Sequence, residues 1–146
     1  MANKLYTATA HVTGGRLAGH GRSGDGELEV DLRIPKEMGG EGGGTNPEEL
    51  FAVGYAACFE GALAVVGRRA KAELGEVAID SEVSLTPNSK GGFELDVVLN
   101  IALPGIDDPD QAAEIVKKAH HVCPYSLATR GNIPVVMTVN GTRVED

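Results

Sequence analysis

A mixed α+β fold, with antiparallel sheets around one long buried helix, is what the order of elements in this 146-residue chain predicts. Three observations carry that prediction. Several segments alternate apolar and polar residues with period two, one run of 18 residues is apolar almost throughout, and the elements follow as strand, strand, long helix, hairpin, helix, strand.

Leu5 to Val12 is rich in Thr and Ala and reads as a strand closed by Gly14 and Gly15. Gly19 to Gly26 reads as a glycine-rich turn. Leu28, Val30, Leu32 and Ile34 then alternate with Glu27, Glu29, Asp31 and Arg33, a strand with one wet face. The loop Gly39 to Gly44 holds five glycines but no Lys-Ser or Lys-Thr pair follows, so it is not a phosphate loop. A helix opens at Thr45, Asn46, Pro47, Glu48, Glu49. Asn46 as N-cap puts Pro47 at the first helical position, whereas Thr45 as N-cap makes a capping box with Glu48. From Leu50 to Gly67 the only charge is Glu60, and small residues recur, which predicts a helix covered on all sides and closely packed. Its length admits a membrane span, but the central Glu and the glycines argue against one.

Val77 to Leu85 and Phe93 to Ile101 are strands of a hairpin turned through Pro87 to Gly92. Asp108 and Pro109 open a second helix, with Gln111 placed for a capping box. That helix presents Ala112, Ile115, Val116 and Ala119 on one face and stops near Cys123 and Pro124. A turn, Tyr125 to Arg130, leads to a last strand, Ile133 to Val139. With no repeat and no linker, residues 1–146 are expected to form one domain. A single layer covers an all-apolar helix poorly, and a homodimer that packs two such helices together inside shared sheets solves that burial problem.

Charge narrows the partners. With 21 acidic and 13 basic residues the net charge is −8, so neither nucleic acid nor an anionic membrane surface is expected. The N-terminal residues have no signal-peptide pattern, and a cytoplasmic location is expected. In a reducing compartment a bridge between the two cysteines, Cys58 and Cys123, would be transient and catalytic rather than structural. Free cysteines are also often inert core residues. A reactive thiol must be ionised, and Cys58 lies too deep in its helix for the N-terminal dipole to help, so it needs a cation from elsewhere. Cys123 ends a helix, where the dipole opposes ionisation unless a new helix begins there. Cys58 is therefore the better first nucleophile and Cys123 the better resolving thiol.

The segments GTNPEELFAVGYAACFEGAL (Gly44 to Leu63) and KAHHVCPYSLATRGNI (Lys118 to Ile133), with TGGR (Thr13 to Arg16) upstream, resemble the organic hydroperoxide resistance proteins of the OsmC/Ohr superfamily. The resemblance spans nearly the whole chain in order. It implies an OsmC-like fold, an intertwined homodimer, and a thiol peroxidase in which Cys58 is peroxidatic and Cys123 resolving. It also implies that Arg16 stabilises the thiolate while Glu48 holds the guanidinium; Arg22 lies close enough in sequence to compete for that role. Apolar organic hydroperoxides are the implied substrates, and a lipoyl-type dithiol or lipoylated protein the implied reductant. Phe51 and Phe59 either line an apolar pocket or belong to the core. No metal or bound organic cofactor is implied. His120 and His121 lack a tight ligand set and suit a helix C-terminus. A sibling OsmC-type peroxidase is the nearer rival function. A non-catalytic dimer that senses oxidants or binds an apolar ligand is the more distant one.

Glu48 and Cys58 are ten residues apart, about 15 Å along an unbroken helix. One arginine cannot serve both in a single chain. Either the helix breaks near Glu48, or Arg16 and Glu48 reach the Cys58 of a partner subunit.

Overall fold

Residues 2–146 are described by a computed structural model. The backbone divides into two units, Met1–Leu50 and Phe51–Asp146.

In the first unit β1 (Ala10–Thr13), β2 (Gly19–Ser23) and β3 (Glu29–Leu32) form an antiparallel sheet in sequence order. The stretch read as a glycine-rich turn thus contains a strand, and the first strand is shorter than Leu5 to Val12. Both differences have one cause. Gly14 and Gly15, at φ 78° and 60°, reverse the chain into a one-turn helix, α1 (Gly15–Ala18), and β2 must start at once to pair back on β1. A Cβ at Gly14 would stand 2.5 Å from the Ala18 carbonyl oxygen, so this turn accepts no side chain there. Arg16 is carried on α1. Val12, Leu17, Leu28 and Met38 remain more than half exposed, which leaves this unit with little core of its own.

The helix α2 (Pro47–Ala70) is unbroken over 24 residues. Asn46 is its N-cap: the Asn46 Oδ1 accepts from the Glu49 N–H at 2.8 Å, and the Asn46 carbonyl accepts the first helical bond from Leu50. Thr45 instead donates its hydroxyl to the Glu49 carboxylate at 2.8 Å. Glu48 is thereby free of the capping box.

The second unit holds a four-stranded sheet in the order β4 (Ala78–Pro87), β5 (Phe93–Ala102), β6 (Val135–Val139), β7 (Thr142–Val144). β4 and β5 are the expected hairpin. β5 and β6 pair in parallel, because the helices α3 (Pro109–Val122) and α4 (Pro124–Thr129) make the crossover between them. Asp108 caps α3 by accepting from the Asp110 N–H at 3.0 Å. β7 follows a tight turn at Asn140 and Gly141, both at positive φ.

Only one stripe of α2 is buried: Tyr55, Phe59, Ala62, Leu63, Val66 and Gly67, at helical spacing. It joins Val97, Leu99 and Ile101 of β5, Ile115, Val116 and Ala119 of α3, and Met137 and Val139 of β6. Full burial of one side chain such as Leu63 contributes about 1.5–3 kcal/mol. The expected coverage on all sides is not met within the chain, since Val53 is 71% exposed. By length and composition alone α2 is long and apolar enough to cross a membrane, yet its buried stripe packs into this core.

Candidate active site

Cys58 lies three turns into α2, partly exposed, and Cys123 is fully buried between α3 and α4. Pro124 forces Cys123 into an extended conformation, φ −65° and ψ 121°. Cys123 therefore closes α3 and serves as N-cap of α4, so the segment read as a turn, Tyr125 to Arg130, is mostly helix. Both thiols are free, and the Cys123 thiol donates to the Cys58 sulfur at 3.4 Å. A short side-chain movement separates that contact from a disulfide bond of about 2.05 Å. The accessible thiol is thus Cys58, with Cys123 directly behind it.

Burial is the main cause that pushes the Cys58 thiol pKa up, and the proximity of the second sulfur, Cys123, pushes the same way; the Tyr125 backbone N–H opposes them. The net shift is upward. Within its own unit Cys58 is a poorly ionised thiol, and a nucleophilic role requires a positive charge.

Such a charge is presented in the first unit. Arg16 Nη1 and Nη2 donate to Glu48 Oε2 and Oε1 at 2.9 and 2.7 Å, a two-point fork. Arg16 rather than Arg22 is the arginine that grips Glu48. The Arg16 guanidinium holds the Glu48 carboxyl below the usual carboxylate range, and Glu48 raises the Arg16 pKa in return. Glu48 is mostly covered and Arg16 is 46% exposed, so the arginine is oriented while still open to another group. The pair contributes stability above the unfolded carboxylate pKa of about 4.3 and loses it only as pH falls through the lower folded value. Glu48→Gln is therefore expected to cost under about 1 kcal/mol of stability near neutrality given the exposure of Arg16, seen as a slightly lower melting temperature. The difference should vanish on acidification, as thermal denaturation across pH would record.

Sequence reasoning missed the hydroxyls beside the thiols. Tyr55, one turn before Cys58, sits 2.9 Å from the Ser126 Oγ and 3.0 Å from the Thr129 Oγ1, with all three residues buried. Next to them Phe51 stacks on Tyr125 at 5.8 Å. Phe51, Phe93, Leu95, Pro124, Tyr125 and Ile133 line an open cleft of about 790 Å³. Of the two candidates for an apolar lining, Phe51 faces this cleft, whereas Phe59 is fully buried core. His120 is buried beside Phe59, and His121 pairs with Asp146 at 3.2 Å. Among the described residues no group of three or more His, Cys, Asp or Glu is placed to hold a metal ion.

Comparison with known proteins extends this picture. The family described as OsmC-like protein matches residues 40–138. The organic hydroperoxide resistance protein of Xanthomonas axonopodis pv. citri is 53% identical over 137 residues, covering 92% of this chain and 94% of that protein. Among solved structures, an organic hydroperoxide resistance protein from Legionella pneumophila aligns with a TM-score of 0.89 at 49% identity, over 94% of this chain and 98% of the other. OhrB of Bacillus subtilis aligns with a TM-score of 0.84 at 44% identity, over 93% and 99%.

Proposed function

Because this chain belongs to the OsmC-like protein family, in its organic hydroperoxide resistance branch, we propose that it is a cysteine-based peroxidase that reduces organic hydroperoxides to alcohols. The observation that carries the reading is the 3.4 Å contact between an accessible Cys58 and a buried Cys123. A thiol pair in that arrangement is preset for the two-step chemistry of a dithiol peroxidase.

The Cys58 thiolate attacks a peroxide oxygen, the O–O bond breaks, and the alkoxide leaves as an alcohol after taking up a proton. Cys58 becomes a sulfenic acid, which Cys123 converts to a disulfide with loss of water. An external dithiol of lipoyl type, free or on a lipoylated protein, then reduces that disulfide by exchange. No bound cofactor enters the cycle. The apolar cleft lined by Phe51 and Tyr125 suits a bulky hydrocarbon group better than hydrogen peroxide.

Cys58 needs a cation, and Arg16 in the grip of Glu48 is the group suited to supply it. The continuity of α2 from Pro47 to Ala70 removes the alternative of a helix broken near Glu48. We therefore assign Arg16 and Glu48 to the Cys58 of a partner subunit, in a homodimer that also covers the open face of α2 around Val53. A cytoplasmic location is part of this proposal, since there a Cys58–Cys123 bridge is transient rather than structural.

Peroxide consumption in the presence of dihydrolipoamide tests the reading. Rapid turnover of cumene hydroperoxide, with slower turnover of hydrogen peroxide, is expected. A single stoichiometric reaction would mark an oxidant sensor, a preference for hydrogen peroxide would mark the sibling peroxidases, and no reaction would leave an apolar-ligand binder.

A further inference from the structure

The hydroxyl cluster beside the thiols has only one consistent set of proton positions. Thr129 donates its single hydroxyl proton to the Ser126 carbonyl at 3.2 Å. Its oxygen can then only accept from Tyr55, at 3.0 Å, so the Tyr55 hydroxyl proton is spent there. Tyr55 must in turn accept from the Ser126 hydroxyl, at 2.9 Å. The result is a closed ring, Ser126 to Tyr55 to Thr129 and back to the Ser126 carbonyl, with every hydroxyl proton used inside the protein. Burial raises the Tyr55 phenol pKa, which keeps that group a protonated donor.

The placement of the ring matters as much as its closure. Tyr55 precedes Cys58 by one turn of α2, and Ser126 follows Cys123 by one turn of α4, so residues 55 and 126 oppose each other just as 58 and 123 do. α4 is six residues long and is capped by Cys123, whose carbonyl accepts its first helical bond from Leu127 at 3.0 Å. A helix this short depends on tertiary contacts for its position. The ring ties it to α2 through side-chain hydroxyls, beside the backbone contact of the Tyr125 N–H with the Cys58 sulfur.

We propose that Tyr55 is a positioning residue for the resolving thiol: by closing the hydroxyl ring with Ser126 and Thr129 it fixes α4 on α2 and holds Cys123 within reach of Cys58. The step it serves, on the peroxidase reading above, is attack of the Cys123 sulfur on the Cys58 sulfenic acid. The S–S bond forms, the S–O bond breaks, and hydroxide leaves with the thiol proton as water. The same placement governs simple thiol–disulfide exchange, in which oxidised dithiothreitol takes up the two thiol hydrogens as the Cys58–Cys123 bond forms.

Exchange with dithiothreitol is therefore the test, because it needs no peroxide and remains decisive whether or not the chain consumes hydroperoxides. The readout is the equilibrium constant for bridge formation in the folded chain, with folding checked by circular dichroism. Tyr55→Phe and Thr129→Val should each lower that constant about fivefold or more, and the double variant should lose no more than the worse single one, since the ring acts as a unit. Thr129→Ser, which keeps the hydroxyl, should restore the wild-type value. A purely structural role would lower the melting temperature and leave the equilibrium of the folded protein unmoved. An unchanged constant in Tyr55→Phe, or additive losses in the double variant, would overturn the proposal.

Discussion

Cys58→Ser is expected to abolish hydroperoxide consumption, leaving only the uncatalysed background even with excess dithiol. A serine hydroxyl in place of the thiol has neither the acidity nor the nucleophilicity to open a peroxide bond, and no other residue stands in for it: Cys123 is fully buried behind it. Stability should change little by comparison, because Cys58 packs against the core from a partly exposed position and serine is close to it in size. The xylenol orange assay for remaining hydroperoxide, run beside a thermal melt, separates the two effects. Turnover retained in this variant would be incompatible with Cys58 as the nucleophile.

Cys123→Ser should behave differently. The first reaction with hydroperoxide proceeds, since Cys58 is untouched, but the sulfenic acid then has no thiol behind it. Further peroxide drives Cys58 to sulfinic and sulfonic acid, so the variant reacts once and cannot recycle by the disulfide route. This variant also carries a stability cost. Position 123 is fully buried among apolar side chains, and an unpartnered hydroxyl there costs roughly 1–3 kcal/mol, visible as a lowered melting temperature. A stoichiometric burst followed by inactivation is the expected kinetic record; sustained turnover at the wild-type rate would remove Cys123 from the cycle.

Much of this site was legible in local patterns. The start of α2 was marked by Asn-Pro-Glu-Glu, whose cap, first-turn proline and acids all point to one boundary, and α3 announced itself through Asp108 and Pro109 in the same way. Other parts were hidden for physical reasons. β2 lay inside a glycine-rich stretch with no apolar alternation, so only its pairing with β1 and β3 makes it a strand. α4 is too short to show a period, and its helicity follows from the N-cap that Cys123 and Pro124 create together. The parallel pairing of β5 with β6 depends on the crossover and leaves no mark within either strand. The Val139-Asn140-Gly141-Thr142 stretch did carry a hairpin signal, and β7 follows from it.

The hydroxyl ring was the least legible feature. Its members are separated by 71 and 74 residues, and each alone looks like an ordinary core Tyr, Ser or Thr. The aromatic cleft was half visible: Phe51 and Phe59 were indistinguishable as candidates until the helical phase of α2 put one outside and one inside. The same phase explains why an apolar run expected to be covered all round is buried on one stripe only.

The central claim is that Cys58 and Cys123 form one redox unit, and mass spectrometry of the reduced protein after a single equivalent of cumene hydroperoxide tests it most directly. The account predicts that the intact mass falls by the two thiol hydrogens and that peptide mapping finds one cross-linked pair joining the Cys58 and Cys123 peptides. Recovery of Cys123 as a free thiol while Cys58 is unmodified, or while Cys58 has advanced to sulfinic acid, would contradict it.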